Sequence, residues 1–171
     1  MAISLKQVIT LVDRTAEKLN RDFKFKINLD GLRDTADDLE YVLDVDYETL
    51  RELNKDCLYW YSYLSELNSL FGIFIDRYTN SYEVYEYLKF LSKKDKTLFM
   101  KTAPKYKIST RDFDKSVIEL DTKISELKGF IKDLNNIYKF IESFRRYMKF
   151  HYYRTSRLIL KSYVRFKNSD I

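Results

Sequence analysis

The residue types that most often carry catalysis are scarce in this chain of 171 residues. Its one histidine, His151, lies in a cationic stretch, with no serine, cysteine or carboxylate at a spacing that would make it part of a relay. The one cysteine, Cys57, falls on an apolar helical file and reads as a small buried hydrophobe. Gly31, Gly72 and Gly129 stand alone, so no glycine-rich loop can cradle a phosphate. The paired acids Asp37 with Asp38 and Asp44 with Asp46 fall near expected helix starts, where carboxylates favour the macrodipole. The expectation is a protein with no catalytic residues, no metal and no cofactor.

Positive charge mixed with rings is the chemistry that remains. In RRYMKFHYYRTSRLILKSYVRFK, Arg145, Arg146, Lys149, Arg154, Arg157, Lys161, Arg165 and Lys167 are interleaved with Tyr147, Phe150, Tyr152, Tyr153, Tyr163 and Phe166, with no acid between Glu142 and Asp170. Arg154, Arg157, Lys161 and Arg165 are spaced 3, 4 and 4. That spacing sets them along one helical face about 16 Å long. Met148, Tyr152, Thr155, Ile159, Tyr163 and Phe166 line the other face and read as packing, which leaves Tyr153 and Arg146 beside the cationic file. Like charges at these spacings repel, so an external anion is expected to neutralise them. Phosphates would do so, and tyrosines could stack on unpaired bases. A membrane surface could also take a basic amphipathic helix, but tyrosine and arginine rather than leucine and lysine dominate here, which favours single-stranded nucleic acid. A second cationic group, Lys93, Lys94, Lys96, Lys101, Lys105 and Lys107, meets one acid, Asp95, and could equally be a solvated loop.

The charge distribution points the same way. Residues 1–86 hold ten lysines and arginines against seventeen acids, net −7, and residues 87–171 hold twenty-one against nine, net +12. Such asymmetry suggests a polyanion partner for the second half, or self-association through opposite charges. A lone cysteine, no signal-like N-terminus and no apolar run of about 18 residues predict a soluble cytoplasmic chain without a membrane span.

Three glycines and one proline leave few means of making tight turns, so long helices are expected. A first amphipathic helix is predicted over 4–19, with Ser4 as cap and Leu5, Val8, Val12, Ala16 and Leu19 on one face. A short strand follows, with Phe23, Phe25 and Ile27 alternating against Lys24 and Lys26. Asp34 or Thr35 is expected to cap a short helix ending near Leu43, and Asp46 the next one. Leu50, Leu53, Cys57, Trp60, Leu64, Leu67, Phe71, Phe74 and Tyr78 then alternate spacings of 3 and 4, a heptad seam that Tyr85 and Leu88 continue. Pro104 breaks the pattern, with Lys105 to Ile108 extended, and Ser109 with Asp112 resembles a capping box. Val117, Leu120, Ile124, Leu127, Ile131 and Leu134 form a second seam, which Ile137, Ile141, Phe144 and Met148 resume after a skipped residue.

These elements predict an all-α fold: N-terminal elements over 1–45, a long antiparallel helical hairpin over 46–148 with a basic loop at 93–109, and a basic C-terminal helix over 149–171. The apolar residues Tyr59, Tyr61, Tyr63, Tyr138 and Phe140, placed beside or opposite the seams, predict self-association into a homo-oligomeric ring or bundle.

In layout, and in LRELNKDCLYWYSYLSELNSL, SYEVYEYLKF, KISTRDFDKSVIELDTKISELKGFIKDLNNIYKFIESF and SYVRFKN, the chain resembles the phage recombination mediators of the UvsY type over Ile27 to Asn168. The resemblance implies a non-enzymatic oligomer that helps load a RecA-like recombinase onto single-stranded DNA covered by single-strand-binding protein, in the host cytoplasm. Where the family has basic residues before paired tyrosines this chain has Tyr82, Glu83 and Glu86, which would leave DNA contact to the basic loop and the C-terminal stretch. The alternative function is a helical structural or adaptor protein, such as a virion component or coiled-coil scaffold, whose basic end meets an acidic protein partner.

Overall fold

The computed structural model describes residues 10–12, 14, 15, 18 and 27–169, with side chains as far as residue 165. All regular structure among them is helical. Residues 10–12, 14, 15 and 18 are helical, and four α-helices follow among the described residues: α1 (Leu32–Asp38), α2 (Tyr47–Lys94), α3 (Lys96–Thr102) and α4 (Phe113–Ser169). Short 3-10 turns, Leu39–Tyr41 and Ala103–Tyr106, follow α1 and α3. Val12 is buried. Leu5, Val8, Ala16, Leu19, Phe23 and Phe25, on which the expected first helix and strand also rest, lie outside the described residues.

α2 and α4 pack against each other as the hairpin that the seams predict. Every first-seam position from Leu50 to Phe74 is buried, with Cys57, Leu64 and Phe71 at 0 % exposure. Fully burying one such side chain stabilises the fold by roughly 1.5 to 3 kcal/mol. α2 runs 48 residues, close to the length its pattern implies, and the Asp46 carboxylate caps it by accepting from the Thr49 amide at 2.8 Å.

The chain divides into two compact units, residues 1–70 with 137–171 and residues 71–136. In the first, Asn54 meets Tyr152 and Asn68 meets Tyr138, so the two helices run antiparallel. Trp60 is buried and donates its indole N–H to Thr35 Oγ1 at 3.2 Å, which ties α1 to α2. The Asn54 amide donates to Tyr152 O, Thr155 Oγ1 and Ser156 Oγ at 2.8 to 3.1 Å, linking α2 to α4 through polar groups. In the second unit the ring of Tyr78 meets Phe130 edge-on at 4.8 Å and Lys89 Nζ pairs with Asp121 at 2.7 Å. Leu88, Leu91, Phe99, Ala103, Ile108, Leu120 and Ile124 form the core beneath the connection between α2 and α4.

Several local expectations are corrected. α1 starts at Leu32 behind Gly31, whose left-handed φ of 81° suits glycine, rather than behind Asp34 or Thr35. Thr35 is instead buried and accepts from Trp60. The helix ends at Asp38 and tightens into a 3-10 turn, short of Leu43. Lys105 and Tyr106 lie in a 3-10 turn and Lys107 takes a left-handed φ, where an extended run from Lys105 to Ile108 is expected; Ile108 itself is not helical. Asp95 caps α3 by accepting from Leu98 N at 2.9 Å, and Pro104 sits at the start of the 3-10 turn, where its missing N–H breaks no bond. α4 is capped by Asp112, accepting from Lys115 N at 3.2 Å, and not by Ser109, whose carbonyl accepts from the buried Ser116 hydroxyl. The basic C-terminal stretch is no separate helix: α4 runs unbroken for 57 residues, through Ile137, Ile141 and Met148, all buried. Of the residues expected to be left over, Phe140 is buried and Tyr61, Tyr63 and Tyr138 are half-buried. Tyr63 and Tyr138 accept from Asn28 N and the Asn68 amide, so Tyr59 alone of the five is exposed.

Candidate nucleic-acid interface

Along α4, residues at helical spacing are sorted into two faces by what packs against them. Met148, His151 and Thr155 are buried, and Tyr152 and Ile159 are half-buried beside them, as their spacing predicts. Tyr163, expected on that face, is 57 % exposed, and the Phe166 side chain lies outside the described residues.

The opposite face carries the cations. Phe150, Tyr153, Arg154, Arg157, Leu158 and Lys161 line an open groove of about 490 Å³. Phe150 and Tyr153 are 62 % and 55 % exposed, a large apolar area to leave in water without a partner. Arg154, Arg157 and Lys161 have no ion pair among the described residues. The groove can therefore take a flat ring and a neighbouring anion at once. Arg165, the last member of the predicted file, is exposed and lies beyond the groove. Phe150 and Leu158 were not among the residues expected here, although Phe150 stands three residues before Tyr153 and four after Arg146, on the same face.

Arg145 and Arg146 are engaged differently. Glu142 accepts from Arg145 Nε and Nη2, both at 2.9 Å, and from Arg146 Nε at 2.8 Å. The Arg145 hydrogen bonds, with those of Arg146, outweigh the burial cost and hold the Glu142 carboxyl at about 2. Lys149 is exposed, with its ammonium 5.8 Å from the ring centre of Tyr61.

The other six predicted cations belong to the second unit. Lys93 and Lys94 end α2 and Lys101 ends α3, where positive charge complements the helix C-terminus. Lys96 Nζ lies 4.3 Å from the centre of the Phe113 ring. Lys105 and Lys107 line a groove of their own with Tyr85 and Tyr106.

His151 packs against Tyr147 and Phe150, and burial, then Arg154, lowers its pKa and so disfavours the imidazolium. Burial pushes the Cys57 thiol up to about 12, which suppresses the thiolate that nucleophilic chemistry needs. Among the described residues no cluster of three metal-ligating side chains forms, and no helix is long and apolar enough to cross a membrane. No protein-family model, curated protein or solved structure matches the chain.

Proposed function

We propose that the chain binds single-stranded DNA without sequence preference along the α4 groove and serves as an oligomeric, non-enzymatic recombination mediator. The observation that carries this reading is the exposed pair Phe150 and Tyr153 set among Arg154, Arg157 and Lys161, cations with no ion pair among the described residues. Rings stack on any base and cations follow the phosphates, so the combination is sequence-tolerant. The mediator role rests on the resemblance over Ile27 to Asn168, and the oligomer on the exposed Leu160 and Val164.

Fluorescence anisotropy with labelled poly-dT tests the binding: affinity should fall steeply with salt as counterions are released. Salt-insensitive affinity, or none at low salt, rejects it. The mediator role predicts faster assembly of a RecA-like recombinase on DNA precoated with single-strand-binding protein, in the cytoplasm of the host. An unchanged rate rejects that part alone.

One observation favours the adaptor alternative. Partial burial, then Glu52 and Asp38, raise the Asp56 carboxyl, which marks converging acids in the unit that also holds the cationic groove. An acidic protein, or the acids of a second copy, could occupy the groove. Replacing Arg154, Arg157, Lys161 and Arg165 by Glu would then break assembly, whereas under DNA binding the oligomer persists; light scattering separates the two.

A further inference from the structure

The second unit holds a groove that the DNA reading does not use. It has a volume of about 430 Å³ and is lined by Asn80, Val84 and Tyr85 of α2 and by Lys105, Tyr106 and Lys107 of the connection. Val84 and Tyr85 pack against the core under the connection, so that wall is held in place. Tyr106, by contrast, leaves 42 % of its surface in water.

Lys107 is the only non-glycine residue with a positive φ, 61°, among the described residues. Its amide donates to Pro104 O at 3.1 Å, its carbonyl accepts from Lys123 Nζ at 3.2 Å, and the next amide, Ile108 N, reaches Ala103 O at 3.2 Å. A side chain in this conformation is strained, and such strain is retained where the surroundings enforce it, often at binding sites. Glycine would close the same turn without strain, yet lysine stands there and lines the groove.

Neither Lys105 nor Lys107 has an ion-pair partner among the described residues, and the Asn80 amide and the Tyr106 hydroxyl have no hydrogen bond among them. Two ammonium groups ask for a phosphate, two phenol rings and Val84 for a flat ring system, and a carboxamide for a polar ring edge. We infer that this groove binds a nucleotide, with the phosphate between Lys105 and Lys107, the base against Tyr106 and Tyr85, and Asn80 at the base edge. This goes beyond the α4 groove and stands independently of it. The nucleotide could be a free monophosphate or one unit of a strand.

Backbone amide NMR of the full chain, titrated separately with thymidine monophosphate, inorganic phosphate and a short oligo-dT, tests it. Saturable shifts at Tyr85, Tyr106 and Lys107, with a Kd of about 1 mM or tighter, are expected from thymidine monophosphate or from oligo-dT. Whichever of the two acts at the lower concentration identifies the source. Equal shifts from inorganic phosphate, or no saturable shift by about 10 mM of either, overturn the inference. Lys105→Gln with Lys107→Gln should weaken binding about tenfold or more, whereas Arg154→Glu with Arg157→Glu should leave thymidine monophosphate binding unchanged. If the arginine variants abolish it instead, the site is not in this groove. Lys107→Gly relieves the backbone, so it should melt at a higher temperature while binding thymidine monophosphate more weakly; binding at full strength overturns the role of Lys107.

Discussion

Arg145 and Arg146 lie on the same helix as Arg154, Arg157 and Lys161, about two turns earlier, and carry the same formal charge. One acid makes the difference. Glu142 holds both earlier guanidiniums, one of them by two bonds, while the later cations have no carboxylate on them among the described residues and two exposed rings beside them. Charge counted along a sequence is therefore not charge available to a ligand, because a bidentate pair has already met part of its demand.

The largest break in this comparison is charge reversal of the later turn. Arg154→Glu, Arg157→Glu and Lys161→Glu together should lower poly-dT affinity about a hundredfold or more and cut the salt slope by about 2, near 0.7 per phosphate lost. Arg145→Gln with Arg146→Gln should cost less than about threefold in the same anisotropy titration. Equal losses from the two sets would erase the distinction.

Removing the rings comes next. Phe150→Ala with Tyr153→Ala should weaken binding about tenfold at unchanged salt slope, since stacking carries no counterion release. A changed slope would mean that the rings act only by placing the cations. Glu142→Gln sharpens the contrast from the other side: it releases Arg145 and Arg146 and should raise affinity about twofold to threefold.

The smallest effects are on stability against pH. The Glu142 carboxyl sits at about 2 when folded, below its unfolded value near 4.3, so its contribution is complete above that value and is lost as pH falls toward 2. Burial lowers the His151 pKa as well, so its contribution is complete above about 6.5 and declines as pH falls below that. Thermal melts should show Glu142→Gln flattening the acid limb below about pH 4 and His151→Phe flattening the onset below about 6.5.

Much of the fold was legible because burial along a long helix leaves a period. The 3 and 4 spacings from Leu50 to Phe74 identified a helix and its packed face without any knowledge of the partner, and those from Leu120 to Leu134 a second helix whose Leu120, Ile124 and Leu134 are buried while Leu127 and Ile131 are half-buried beside the buried Phe130. The connection was less legible. Pro104 and the lysines suggested an extended loop, but Phe99, Ala103 and Ile108 are buried against Leu88 and Leu120, and that packing favours helical turns over local signals. The cap at Asp112 was missed because Ser109 also fits the pattern. Which acceptor meets the first amides depends on where the chain enters the helix.

The site divides along the same line. Composition and spacing were enough to place Arg154, Arg157 and Lys161 on one face, and Met148, Tyr152, Thr155 and Ile159 on the other, since a helix maps sequence distance onto angle. They could not rank the cations. Glu142 stands three and four residues before Arg145 and Arg146, and only rotamers and neighbours set that it holds both guanidiniums at once. Nor could they bring Asn80 and Tyr85 to Lys105 and Lys107, residues some twenty positions apart whose meeting depends on how the connection folds onto its core. One-dimensional order therefore specified the helices and the sense of their faces. Partner choice, exposure and the grooves came from long-range packing, which no local pattern encodes.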